Sequence, residues 1–431
     1  MARAKKEAAL TPEERLHAAL VPDWEWPYKL PENWCWTYFK SISIIQTGKK
    51  DANYGSDEGK YPFFTCAAEP IRCHGYSFDC RAILLAGNGD INNISRYNGK
   101  FEAYQRTYVV KIAEPLCFDY IFYWFKYRWF DFNKGKMFGT AIPYIRLGNL
   151  QEFPTPIPPL VEQQRIVDRI ESLFAKLDES KEKAQAVLDS FETRKAAILH
   201  KAFTGELTKK WRKSANTRWV YKKIKDCCKL GSGGTPSRKV PDFYKGDIPW
   251  IKTGEIEWND IYDTEEKITQ SAIDNSSARC YKPGVVLVAM YGMGVTRGKA
   301  SILRVQAATN QAVCVLEPQS ALLYNRYLLY YFMRNYWDIR EKAVGGNQLN
   351  LSLTIIKELN IEIPPIDEQV EIVQILDDLF AKEQQTKEAA EAVLDQIDLM
   401  KKSILARAFR GELGTNDPSE ESAVELLKQL I

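Results

Sequence analysis

The chain has 431 residues, is 45% hydrophobic and 12% aromatic, and carries 59 Lys and Arg against 56 Asp and Glu. That length and apolar content exclude a disordered or fibrous chain and predict two to four domains with real cores. No run of about 18 apolar residues occurs and the charged N-terminus lacks a signal-peptide core, so a soluble cytoplasmic protein with no membrane contact is expected.

In chain order, residues 1–30 read as a short helical segment of no net charge. Residues 31–157 break into β-branched and aromatic runs (AILLAG, TYVVKIA) punctuated by Gly, Asn and Pro, the pattern of a small mixed α/β domain. Residues 158–207 read as a long helix with apolar positions Ile166, Ile170, Leu173, Leu177, Phe191 and Ile198 at alternating three- and four-residue spacing. Residues 208–363 return to short strand-like runs (GVVLVAMYG, AVCVLEP). Residues 364–413 repeat the helix, with Ile372, Leu376, Leu379, Val393, Ile397 and Ile404 as its seam, and 414–431 form a C-terminal tail.

The repeat is the strongest signal in the chain. Pro158–Leu207 realigns on Pro364–Leu413 without a gap at a constant offset of 206, with about half the positions identical. A period near 200 is too long for a solenoid and implies a duplicated module. The expected fold class is α+β: two similar mixed α/β domains separated by two long helices that pair as an antiparallel coiled coil with pseudo-twofold symmetry. Each helix would run about 45 residues, or roughly 65 Å, from a Pro-Pro start to a Gly stop. Matching Trp36-Thr37-Tyr38 to Trp219-Val220-Tyr221 makes the second domain 23 residues longer than the first.

Charge is segregated. The two interhelical regions carry +3 and +9, whereas the helix copies carry −1 and, with the tail, −8. A polyanion should prefer the domains. The nine cysteines, an odd number, are expected to be reduced thiols. Cys66, Cys73 and Cys80 recur every seven residues beside His74, but the CxxC pairs of a zinc site are missing, so no metal is expected. Walker, nuclease and methyltransferase motifs are absent, and Gly292, Gly294 and Gly298 have the spacing of a turn rather than of a dinucleotide loop. No catalytic residue is expected.

What remains is a set of loops mixing Gly with amide, hydroxyl, aromatic and basic side chains, the groups that read base edges and phosphates. In the first domain they supply Lys49, Lys50, Arg96, Asn98, Lys100, Tyr104, Gln105 and Arg106. In the second they supply Thr235, Arg238, Lys239, Lys252, Thr253, Tyr291, Thr296, Arg297 and Lys299, with Asn310-Gln311 beside them.

The doubled motifs PP[LI]xEQxxI (Pro158–Ile166, Pro364–Ile372) and AFxGEL (Ala202–Leu207, Ala408–Leu413), with GSGGTPSRK and GGNQLNLS, closely resemble the specificity subunit of Type I restriction-modification enzymes. The resemblance implies two target-recognition domains, each reading one half of a bipartite, asymmetric site in double-stranded DNA. It implies helices that set the spacer and dock two modification (methyltransferase) subunits. S-adenosylmethionine would sit on those partners, and ATP and Mg on restriction (translocase/nuclease) subunits where these exist; this chain would hold no cofactor. A coiled-coil interaction scaffold without DNA specificity is the alternative from another class.

Overall fold

The computed structural model describes residues 10–215, 218–292, 294–345 and 349–431. Met293 of the glycine-rich turn and Gly346, Asn347 and Gln348 of the closing motif lie outside the described residues. The chain forms two compact units, Met1–Ala184 with Ala392–Ile431, and Gln185–Glu391.

The first unit holds β1 (Cys35–Tyr38), β2 (Ser43–Thr47), β3 (Tyr61–Phe64), β4 (Ile71–Cys73), β5 (Phe78–Ala86), β6 (Ile94–Ala103), β7 (Thr107–Ile112) and β8 (Pro154–Ile157). Six strands make one sheet in the order β2-β7-β5-β6-β3-β4, and β1 pairs with β8. Its centre is buried on both faces, which is why β5 ends in an unbroken apolar run instead of alternating. Ile83, Leu85 and Val110 join the core built around the helix Phe118–Asn133, while Ala82, Leu84 and Val109 pack with Phe64 and Phe101. The tail is part of this core: the helix Ala423–Leu430 buries Ala423 and Leu427 there.

The second unit holds β9 (Val220–Lys223), β10 (Cys228–Ser232), β11 (Ile248–Ile251), β12 (Asp260–Ile261), β13 (Lys267–Ile268), β14 (Cys280–Tyr281), β15 (Val286–Ala289), β16 (Ala300–Leu303), β17 (Ala307–Thr309), β18 (Val313–Pro318) and β19 (Asn360–Ile363). Its sheets run β10-β18-β15-β16-β12 and β13-β11-β17-β14, and β9 pairs with β19.

The units repeat one another in several registers. Ser43 opposes Ile112 and Thr47 opposes Tyr108; Cys228 opposes Pro318 and Ser232 opposes Cys314. The first strand of each pair is thus shifted by 185 residues and the second by 206. The tryptophans agree, since Trp34 Nε1 donates to Glu162 at 2.8 Å and Trp219 Nε1 to Glu368 at 3.0 Å. Trp219 is therefore the counterpart of Trp34, not of Trp36, and the second domain is 21 residues longer rather than 23. Trp36 instead packs against Trp124 and donates to the Tyr28 carbonyl. A match of three residues between two Trp-rich stretches could not separate registers two apart.

The doubled Glu-Gln has a structural reason. Gln163 Oε1 accepts the N–H of Cys117, the residue that caps the helix Phe118–Asn133, while its Nε2 donates to the Pro158 carbonyl. Gln369 treats Tyr324, which caps the helix Asn325–Arg334, and Pro364 in the same way. Both glutamines and both glutamates are fully buried. Each glutamate also accepts a hydroxyl from the segment that follows the other helix copy: Thr415 on Glu162 at 3.3 Å, Thr208 on Glu368 at 2.7 Å. The glycines before them, Gly205 and Gly411, take φ of +72° and +73°, the left-handed C′ geometry that stops a helix.

The two helix copies meet in each unit, and in the second the order of contacts is antiparallel. In the first, Phe174 and Asp178 meet Lys401; in the second, Phe191, Arg194 and Lys195 meet Lys387, Glu383 and Phe380 in that reversed order. Two expectations are corrected. The second copy is continuous over Ile366–Ala408, but the first is split into Leu160–Asp189 and Phe191–Phe203. At the junction the Ser190 hydroxyl donates to the Ala186 and Val187 carbonyls, and Arg194 also donates to Val187. The second copy has Gln396 and Met400 at these positions. Val393 is also exposed, with Ala390 and Ile397 buried on either side. Of the other seam positions, Ile166, Ile170, Ile372, Leu376 and Ile397 are buried, and Leu173, Leu177, Phe191, Ile198, Leu379 and Ile404 half-buried.

Candidate nucleic-acid interface

In the first unit the loop after β2 and the β6–β7 hairpin tip are held together by backbone. Lys50 bridges Tyr104, and Gln105 N donates to the Lys50 carbonyl at 2.9 Å. Gly48 makes this approach possible, since a Cβ there would lie 1.8 Å from the Ala103 carbonyl oxygen. Lys49, Lys50, Tyr104, Gln105 and Arg106 therefore form one cluster. Lys50 lies over the Tyr54 ring at 4.5 Å, and Gln105 Nε2 donates to Asp51 at 2.8 Å. Among the described residues, Lys49 and Arg106 have no acidic partner.

The other first-domain candidates lie elsewhere. Arg96, Asn98 and Lys100 alternate along β6, and Arg96 is eight residues before Tyr104, roughly 26 Å along a strand. Arg96 and Arg81 both bind Asp119 in the first turn of the helix Phe118–Asn133. One carboxylate thus serves two guanidinium groups within the fold. Lys100 lies over the Tyr76 ring at 4.8 Å, and that hydroxyl raises its pKa.

The second unit builds the same end from the equivalent elements. Gly234 N donates to the Thr309 carbonyl, Asn310 N to the Ile251 carbonyl, and Met290 N to the Ala312 carbonyl. The loops after β10, β11, β15 and β17 are thereby gathered, and Thr235 Oγ1 donates to Gln311 Oε1 at 2.6 Å. A Cβ on Gly233 would lie 1.7 Å from the Thr309 oxygen, so Gly233 repeats Gly48 at the 185 offset. The first domain keeps the close-approach glycine although it lacks the Gly-Gly-Thr-Pro string.

Several basic candidates here are also paired. Glu266 accepts Arg238 at 2.7 Å and Lys252 at 3.0 Å, and Arg238 stacks 4.0 Å over Tyr244. Partial burial opposes ionisation of Glu266, but Lys252 and Arg238 outweigh it and hold the carboxyl below its ordinary value. Lys299 is nearly buried against Glu257, and Arg297 donates to the Leu349 carbonyl. The stretch after Tyr291, with Thr296, packs on the helix Tyr336–Glu341: Tyr336 donates to the Val295 carbonyl and Arg340 to those of Gly294 and Arg297. Thr253 opens the short turn Thr253–Glu255. Lys239 is exposed and, among the described residues, without an acidic partner. The partners Asp51, Asp119, Glu257 and Glu266 were missed because a scan for basic and amide groups passes over acids. Among the described residues no His, Cys, Asp and Glu cluster could hold a metal, and no helix is long and apolar enough to cross a membrane.

The family model for the Type I restriction modification DNA specificity domain matches twice, over residues 31–189 and 216–394. The chain belongs to this family. It is 27% identical over 414 residues to the Type I restriction enzyme EcoDI specificity subunit of Escherichia coli, covering 89% of this chain and 90% of that one. It is 26% identical to the EcoKI specificity subunit of Escherichia coli strain K12, covering 64% and 61%. The crystal structure of the HsdS subunit from Thermoanaerobacter tengcongensis shares the fold, with a TM-score of 0.62 over 90% of this chain and 100% of that one at 18% identity.

Proposed function

We propose that the chain is the DNA-reading subunit of a Type I restriction-modification complex, each recognition domain contacting one half of a bipartite, asymmetric site. The observation that carries this reading is the doubled loop end: Gly48 beside Ala103 and Gly233 beside Thr309, each presenting basic and amide side chains within a matched specificity domain. The helix copies set the distance between half-sites and dock two modification subunits. Those partners bring S-adenosylmethionine for adenine methylation, and restriction subunits, where present, bring ATP- and Mg-dependent chemistry. This chain selects the site in the cytoplasm and performs no bond-making step.

The test is a genome-wide map of methylated adenine in cells expressing the chain with its modification subunit. A two-part motif with a fixed spacer is expected; methylation indifferent to sequence would refute the reading. Removing two helical turns, about 11 Å, should change the tolerated spacer or abolish assembly. A protein-interaction scaffold would instead bind partners without the steep fall of DNA affinity with salt that phosphate contacts impose.

A further inference from the structure

Gln105 and Gln311 occupy one position in two copies of the fold. Each follows a residue whose N–H closes on the carbonyl ending a parallel strand: Tyr104 on Phe64 at 2.9 Å, Asn310 on Ile251 at 3.0 Å. Each lies beside the glycine that has no room for a Cβ. Both side chains are exposed, yet both are held.

What differs is the end by which each amide is held. A carboxamide offers one oxygen acceptor and two N–H donors. Gln105 gives an N–H to Asp51 Oδ1 at 2.8 Å, which leaves its carbonyl oxygen and one N–H for a ligand. The carboxylate can only accept, so it also fixes which way this amide points. Gln311 gives its oxygen to the Thr235 hydroxyl at 2.6 Å, which leaves both N–H groups outward.

We infer that Gln105 and Gln311 are matched base-reading residues, one per half-site, and that Asp51 and Thr235 position them with opposite polarity. Gln105 takes an exocyclic amine in the major groove through its oxygen. Gln311 takes an acceptor such as purine N7 or a base keto oxygen through its N–H groups. Asp51 belongs to this arrangement despite repelling phosphate, because its carboxylate is spent on the amide. The inference rests on the DNA-specificity reading above.

The experiment compares methylated-adenine maps from cells carrying the modification subunit with the wild-type chain, Gln105→Ala, Gln311→Ala, Asp51→Ala or Thr235→Val. Each glutamine variant should relax one base position, with discrimination there falling roughly five- to hundredfold, and the two positions should lie in different halves. Asp51→Ala should relax the position that Gln105→Ala relaxes, and Thr235→Val the position that Gln311→Ala relaxes, with the other half unchanged. A merely structural role would weaken the whole half-site and leave base ranking intact. A wild-type map without a bipartite motif overturns the parent reading and this one together. A clear wild-type motif that survives every substitution overturns this inference alone. If a variant methylates too little for a map, competition of duplexes bearing single-base changes for the purified complex reads the same ranking; an unaltered ranking rejects the assignment.

Discussion

The Thr208 hydroxyl donates to Glu368 Oε1 at 2.7 Å across 160 residues of chain. The carboxylate is fully buried and also receives Arg212 Nε at 3.0 Å and Trp219 Nε1 at 3.0 Å. The segment after the first helix copy thus completes the acid that opens the second. Glu368→Ala would strand buried donors and should cost about 2–4 kcal/mol, measured by chemical denaturation. Glu368→Gln keeps an acceptor and should cost less.

Arg194 and Glu383 join the helix copies in the second unit at 2.8 Å, both largely shielded from solvent. Reversing either charge should destabilise by about 1 kcal/mol, and the double exchange Arg194→Glu with Glu383→Arg should recover part of it in a double-mutant cycle. Recovery should be incomplete because Arg194 also serves Val187 and Ser190.

Glu358 lies between Lys223 and Lys225 at 2.6 and 2.7 Å, and their hydrogen bonds lower its pKa to about 2. A carboxyl depressed in the folded state contributes stability above its ordinary value of 4.5, and that contribution is lost as pH falls toward 2. Carbon-detected NMR titration should place the midpoint well under 4. A midpoint at the ordinary value would show that the two lysines do not hold the carboxylate in solution.

Arg106 and Lys299 are both cations in predicted DNA loops, yet they should behave differently. Arg106→Glu should weaken DNA binding about tenfold or more and reduce the salt slope by about one. Lys299→Ala removes the partner of Glu257 and should lower stability while leaving the salt slope unchanged. Binding isotherms at several salt concentrations, set beside thermal melts, separate the two.

Gly48→Ala and Gly233→Ala place a methyl within 2 Å of a backbone oxygen that cannot step aside. Each should displace its own loop and degrade recognition of one half-site only, read from the methylation motif.

The sequence by itself determined the duplication, the helix copies, their glycine stops, the mixed α/β character of the domains and the family, because each is written in local spacing repeated at one offset. It also named segments that meet at each domain end, although Arg96, Asn98 and Lys100, read as loop residues, lie along β6. Only the tertiary structure decided the register between domains, where the buried Glu162 and Glu368 select Trp34 and Trp219 as counterparts. It alone placed a junction at Ser190 in the first helix copy. It also sorted the cations: Arg96, Arg238 and Lys299 are paired with Asp119, Glu266 and Glu257, acids 23 to 42 residues away in sequence. Charge is a property of a residue, but whether that charge is free depends on partners that only folding brings within reach.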